Sequence, residues 1–328
     1  MGDSRVGRLD AEYVLPIRRE DRAGEDELVR YLRWLDERLD VLVVDGSAPP
    51  IFDDLARRLP PGVRHIPPDR HGRNGKARGA LSGIDAARHE RILLADDDVR
   101  YDDRALTVAL RRLDDAELVR PQNVYSAYPW HARWDTARML IGRLLGGDFG
   151  GTVALRRSAL PHVSGYDTDV LFENLELERT IGHAGGRLHV ARDVFVERLP
   201  PTARHFAAQR VRQAYDGFAQ PPRLAVELAI LPIIATCLVT KRIRTLLTLC
   251  AAGIVAAEAG RRRDGGAAHF PASSALWAPL WIIERGLTAW IALAARLRGG
   301  IRYAGTTIVR AATPPRELRR RIRQEGAA

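Results

Sequence analysis

The sequence predicts an α/β fold with a largely parallel sheet, followed by a helical, apolar region. Three observations carry that expectation. Strand and helix patterns alternate four times over residues 12–99, which calls for parallel strands with helices on the sheet faces. An apolar run from Ile92 to Ala95 ends in three consecutive carboxylates, Asp96, Asp97 and Asp98. Acids at the carboxyl end of a buried strand are the layout of a metal or nucleotide site in an open sheet, or else of an acidic turn. From residue 224 the chain becomes apolar and basic.

Taken in order, residues 12–17 read as a first strand containing Pro16, and 25–39 as a helix with Leu28, Tyr31, Leu32, Leu35 and Leu39 on one face. Residues 41–44 form a short buried strand closed by Asp45-Gly46-Ser47. Asp45 either holds part of a nucleoside or starts the turn. A short helix over 53–59 and a strand over 63–66 follow. The loop over 70–79 then runs into a helix with Leu81, Ile84 and Ala87. Its glycines allow close approach of the backbone to a ligand, and a helix N-terminus attracts anions. Lys76 lies in that loop, in a chain with two lysines against 49 arginines; it is a compact ammonium facing a ligand or a solvated loop residue.

After the acidic strand, 101–113 reads as a helix and 152–156 as a strand. Between them, 122–150 is rich in aromatic residues and glycine. Residues 171–181 read as a helix on which Glu173 and Glu176, three apart, share one face. Residues 188–196 supply further strand. The basic amphipathic pattern over 203–218, just ahead of the apolar region, suits a helix lying in a membrane interface.

Composition narrows the function classes. Cys237 and Cys250 both lie in apolar stretches, against a disulfide framework or a cysteine zinc site. The first forty residues are heavily charged, and no signal peptide is expected there. The net charge of +10 belongs to the end of the chain: residues 224–328 hold 16 Lys and Arg against 6 Asp and Glu, whereas residues 1–223 are balanced. Residues 224–240 are apolar apart from Glu227, and 245–259 are apolar up to Glu258. Residues 275–295 are long enough to cross a bilayer but carry Glu284 and Arg285 at their centre. Trp277, Trp281 and Trp290 and the flanking basic clusters favour membrane association over a buried soluble helical layer. Nucleic-acid binding is not expected, because the basic residues flank apolar segments instead of interleaving with aromatics.

Several ordered motifs carry a resemblance. They are V-V-D-G-S over 43–47, N-G-K over 74–76, D-D-D over 96–98, G-G-x-x-G-G-T over 146–152 with R-R-S-A-L over 156–160, G-Y-D over 165–167, E-N-L-E-L over 173–177 and Q-R-V-R over 209–212. The set resembles the membrane-associated family-2 glycosyltransferases, which include ceramide glucosyltransferase-like enzymes and polysaccharide synthases. The resemblance implies a GT-A domain over 10–220, membrane-associated helices over 221–298 and a basic tail over 299–328. It implies that Asp45 contacts the nucleoside with Pro16 and Arg18 nearby, that Lys76 faces the diphosphate, and that Asp96 and Asp97 bind the nucleotide. Asp98, with Asp96, would hold Mg²⁺ or Mn²⁺. Gln209 and Arg212 match the first and fourth positions of the QxxRW motif at the donor and acceptor site.

Two departures bear on mechanism. Asn174 stands where many relatives carry a catalytic Asp, leaving Glu173 or Glu176 as the base, or no base if the acceptor is already anionic. Gln213 replaces the Trp of QxxRW, unless Tyr215 substitutes. The expected activity is inverting transfer of a sugar from a UDP- or GDP-sugar to a lipid or lipid-linked acceptor at the cytoplasmic face of a membrane. The alternatives are transfer to a polyprenyl phosphate, or a non-catalytic nucleotide-sugar-binding module.

Overall fold

A computed structural model describes residues 8–161 and 165–325. The expectations about the N-terminal segment and the basic tail extend onto residues 1–7 and 326–328, which lie outside the described residues. The first apolar run forms β1 (Glu12–Ile17), buried along its whole length. Helix α1 (Glu25–Asp36) follows, then β2 (Asp40–Asp45), α2 (Pro49–Ala56), β3 (Arg64–Ile66), α3 (Gly75–Ala86) and β4 (Arg91–Ala95). Strands this apolar must be covered on both faces, and α1 and α3 supply the cover.

β1 to β4 are parallel, in spatial order β3-β2-β1-β4. The register pairs Pro16 with Val44 and Ile17 with Asp45, so both strands end at one edge. Helix α3 lies very close to β1: a Cβ on Gly83 would come 2.3 Å from Val14 Cγ1. Only glycine permits that approach, and it carries the start of α3 to the strand ends.

Beyond β4 the sheet becomes mixed. The elements are β5 (Val99–Arg100), α4 (Asp103–Arg111), β6 (Leu118–Tyr125), α5 (Trp130–Leu145), β7 (Thr152–Arg156), α6 (Glu173–His183) and β8 (Leu188–Arg198). β7 runs antiparallel to β4 and β6, β8 parallel to β6, and β5 antiparallel to β8. The aromatic segment over 122–150 becomes the end of β6 and α5.

Helix α7 (Ala203–Tyr215) differs from the expected interfacial helix. Its Phe206 packs on Trp130 and Trp134, and Tyr215 is fully buried beside Leu171 and Leu175, so these side chains face protein.

Three long helices follow: α8 (Pro221–Val239), α9 (Ile243–Arg262) and α10 (Ala278–Leu297). Two segments, Pro221–Val239 and Ile243–Ala268, are long and apolar enough to cross a membrane, and few of their residues are buried. Val239 and Val255, for example, are 82% and 66% exposed. The third apolar segment behaves differently, because α10 packs against α5, α7, α8 and α9. Its inner face buries Trp281, Arg285, Ala289 and Ala292, and its outer face exposes Ile283, Leu287 and Ile291. Fully buried Arg143 of α5 ties the helices to the sheet, donating to Gln122 Oε1 of β6 (3.0 Å) and to Gly260 O of α9 (3.1 Å).

The expected basic tail is structured through residue 325. Strands β9 (Ile301–Tyr303) and β10 (Thr306–Ile308) form a hairpin, and α11 (Pro315–Glu325) docks on α6. The hairpin turn uses Ala304 and Gly305 at φ 47° and 86°, the left-handed backbone that a tight hairpin requires.

Candidate active site

The acidic turn after β4 sits at the carboxyl edge of the parallel strands, held there by backbone geometry. Asp96 N–H donates to Gly151 O (2.8 Å), and Gly151 N–H donates to Asn123 Oδ1 (2.7 Å). A Cβ on Gly151 would stand 2.9 Å from Asp96 Oδ2. That contact explains the glycine pair ahead of β7.

Lys76 reaches this turn from the first turn of α3. Asn74 caps the helix, accepting from the N–H groups of Lys76 and Ala77 (3.1 and 3.2 Å). Its amide also donates to Val170 O (2.8 Å), fixing the loop to the segment before α6. Lys76 Nζ then lies 2.6 Å from Asp96 Oδ1 and 2.7 Å from Glu173 Oε1. Arg198, at the end of β8, lies 2.7 Å from Asp98 Oδ2 and 3.5 Å from Asp96 Oδ2. Burial pushes the Asp98 carboxyl above its ordinary value; Arg198 pulls it back and Asp96 adds to the rise.

The residues present fit a divalent cation. Asp98 Oδ1 is buried and has no hydrogen-bond partner among the described residues. Among those residues, no group of three or more His, Cys, Asp and Glu is placed to hold a metal unaided. Mg²⁺ commonly takes one or two carboxylates and completes its shell with phosphate oxygens and water, and Asp98 with Asp96 can supply such a pair.

Lys76, Asp96, Asp98, Glu173, Gln209 and Arg212 line one cleft. Gln209 bonds His205 one turn away, and the Arg212 guanidinium lies 5.3 Å from the Tyr303 ring of the C-terminal hairpin. Glu176 does not line the cleft, which corrects its expected role as a base. It is fully buried and accepts the Thr313 N–H (2.7 Å), pinning the segment before α11. Tyr215 is no substitute for the missing Trp either, because its hydroxyl donates to Val309 O (2.7 Å) behind the cleft. Asn174 donates to Gly150 O (3.0 Å), supporting the glycine pair.

The residues expected near the nucleoside lie outside this cleft, along the same strand edge. Asp45 is buried, accepting from Ser47 N–H (2.8 Å) and lying 3.2 Å from His65 Nε2. Burial alone would raise its carboxyl; the bonds from His65 and Ser47 outweigh that and hold it below its ordinary value. The carboxylate performs the turn role in this arrangement. Pro16 packs against Gly79 of α3. Arg18 donates to Ala304 O (3.3 Å) of the hairpin, and Asp97 lies 3.6 Å from Arg19.

Sequence reading missed much of the cleft wall, and three of those residues bear on its chemistry. Arg198 pairs with acids a hundred positions away, with no local signal. Asp216 lies on the Gln209 and Gln213 face, at i+7 and i+3, a spacing that could have revealed it. Burial pushes its carboxyl up to about 7, with Arg212 opposing and Glu173 adding. Arg285 announced itself as a charge inside an apolar stretch, and it enters the wall from α10.

This edge, with its acids, lysine and arginines, places the protein among α/β domains built to receive a ligand beyond their strand ends. The model of the glycosyltransferase-like family 2 matches residues 41–216, more than half of the chain. The chain belongs to that family. No curated protein matches it. Among solved structures, a mannosyltransferase from Pyrobaculum calidifontis, in complex with GDP-Man and Mn²⁺, aligns at 19% identity and TM-score 0.50, covering 87% of this chain and 88% of that one. A glucosyl-3-phosphoglycerate synthase from Mycobacterium tuberculosis, bound to Mn²⁺, UDP-glucose and phosphoglyceric acid, aligns at 19% identity and TM-score 0.43, covering 63% and 78%. A mannosyl-3-phosphoglycerate synthase from Rubrobacter xylanophilus aligns at 16% identity and TM-score 0.42, covering 62% and 71%. At these identities the first likeness speaks to the fold, which it shares, and the other two carry no argument.

Proposed function

We propose that the protein is a membrane-associated, metal-dependent inverting glycosyltransferase that moves a hexose from a UDP- or GDP-sugar to a lipid or lipid-linked acceptor at the cytoplasmic face. The observation that carries this reading is the cluster of Lys76, Asp96, Asp98 and Arg198 at the strand edge, facing Gln209 and Arg212 across one cleft. Displacement of a nucleoside diphosphate builds negative charge on the leaving oxygen. Lys76, drawn to the site by two carboxylates, is placed to meet it. A divalent cation held by Asp98 and Asp96 would supply Lewis-acid stabilisation of the same charge. Arg212 adds a second cation in the wall.

On the acceptor side, Glu173 and Asp216 are carboxylates in the wall able to take a hydroxyl proton. The exposed apolar faces of α8 and α9 support membrane association, and α7 links those helices to the catalytic domain. The test is a donor screen of the purified full chain by thermal shift with Mn²⁺. One nucleotide sugar is expected to raise Tm well above the others, since stabilisation follows ligand concentration over Kd. GDP-mannose and UDP-glucose are natural first choices. No shift with any nucleotide sugar would refute the reading.

A further inference from the structure

A guanidinium without hydrogen bonds enters the cleft from the apolar helices. Arg285 sits midway along α10, is 1% exposed, and shares the cleft wall with Arg210, Gln213, Asp216 and Arg223. All three guanidinium nitrogens, Nε, Nη1 and Nη2, are buried without a hydrogen-bond partner among the described residues. Its nearest acid, Glu227 Oε1, stands 3.9 Å away and already accepts from Arg223 Nε at 2.9 Å. Arg210 is half-committed: Nη2 bonds Asp135 Oδ1 (3.1 Å), whereas Nη1 stands 3.6 Å from Glu284 and is also unpartnered.

A buried guanidinium with no hydrogen bond and only a distant carboxylate is costly, and a well-packed apolar residue would serve a purely structural role better. What a guanidinium offers is a planar fork of donors matched to the oxygens of an oxyanion. In the glycosyl-transfer reading the donor diphosphate would have its own cations at the strand edge, Lys76 and a metal held by Asp98 and Asp96. Arg285 comes instead from the helix whose outer face exposes Ile283, Leu287 and Ile291 and which packs on α8.

We propose that Arg285, with the free Nη1 of Arg210, anchors the phosphate group of the acceptor, in a subsite walled by α7, α8 and α10. A phosphate monoester, with three oxygens and nearly two charges, engages more of the four open donors than a carboxylate. The phosphate could belong to a lipid headgroup or to a free phosphate ester, and both present the same chemistry. The inference rests on the glycosyl-transfer reading above and names its acceptor class.

The test uses the full chain in detergent with Mn²⁺ and its stabilising nucleotide sugar, and acceptors that differ only in the phosphate. The pairs are a polyprenyl phosphate with its polyprenol, and glycerol 3-phosphate with glycerol. The phosphate member of at least one pair is expected to be preferred by about a hundredfold in kcat/KM. Use of the polyprenyl phosphate alone identifies the lipid; use of both identifies the phosphate itself. Arg285→Gln should raise KM for the phosphate acceptor by about a hundredfold, with the loss falling there and not on the donor KM, and Arg285→Lys should recover part of it. Equal use of phosphate and alcohol by the unaltered protein overturns the inference, as does a loss shared equally by donor and acceptor KM. The first arm needs no variant, so it stands even if Arg285→Gln fails to fold. Donor turnover measured with and without acceptor separates the two readings. Donor turnover, to water or to any of the four acceptors, with no phosphate preference overturns the subsite alone; no turnover of any nucleotide sugar under either condition overturns glycosyl transfer itself.

Discussion

The two walls of the cleft are built on opposite principles. At the strand edge the charges sit in close ion pairs: Lys76 bridges Asp96 and Glu173, and Arg198 holds Asp98, whose Oδ1 stays open. On the helical wall the ion pairs are long, Arg210 Nη1 to Glu284 at 3.6 Å and Arg285 Nε to Glu227 at 3.9 Å, and Arg285, Arg210 Nη1, Gln213 Oε1 and Asp216 Oδ1 are buried without hydrogen-bond partners among the described residues. A paired cluster is preorganised, so a ligand exchanges one set of ion pairs for another with little rearrangement. An unpaired wall is complete only when a ligand or water brings the missing atoms. On the proposed reading, the contrast separates a preorganised donor side from an acceptor side completed by its substrate.

Breaking the paired side should have the largest effect. Lys76→Ala is expected to lower turnover of the donor by about a thousandfold, read as kcat in a nucleotide-release assay; a change below tenfold would remove Lys76 from the diphosphate. Glu173→Gln sharpens the comparison, because Glu173 belongs to the paired side yet is proposed as the base for the acceptor. A hydroxyl acceptor should then react about a hundredfold more slowly, while a phosphate acceptor, already anionic, keeps most of its rate. Equal losses with both would mean that Glu173 acts through Lys76 and not as a base.

The unpaired side should report itself through pH. The Asp216 carboxyl is pushed up to about 7 in the folded chain and returns to an ordinary value near 4 on unfolding. Between those values the folded state binds the extra proton, so stability falls as pH rises from about 4 through 7. Asp216→Asn should remove that fall. Its Tm relative to the unaltered chain should be higher at pH 8 than at pH 5, and a gap independent of pH would show the carboxyl to be ordinary. The smallest effect on catalysis is expected behind the cleft. Glu176→Ala leaves the buried Thr313 N–H unmatched, at about 2 kcal/mol of stability, and should expose residues 309–314 to protease while the donor KM stays unchanged. A shifted donor KM would return Glu176 to the active site.

The sequence made the strand-edge side legible because its signals are local. An apolar run ending in Asp96-Asp97-Asp98, a lysine in a glycine loop and Gln209 with Arg212 one turn apart can each be seen within a few residues. The first four strands were legible for the same reason. The mixed half of the sheet was not, since β7 pairs with β4 across more than fifty residues and no period in the chain encodes that. Arg198 escaped notice for the same cause. Glu176 and Tyr215 misled because helical spacing gives a shared face but not which face meets the cleft. The C-terminal segment read as a basic tail because its arginines are obvious, whereas the contacts that fold it are few and long-range: Leu318 buried on α6, and Arg321 on Asp167 (3.1 Å).

The central claim is that the acidic turn holds a cation on a nucleotide diphosphate. Titration calorimetry of Mn²⁺ into the chain saturated with its stabilising nucleotide sugar tests it most directly, comparing the unaltered protein with Asp98→Ala. The account predicts one saturable Mn²⁺ site that Asp98→Ala abolishes, together with donor turnover. Undiminished Mn²⁺ binding and turnover in Asp98→Ala would contradict it.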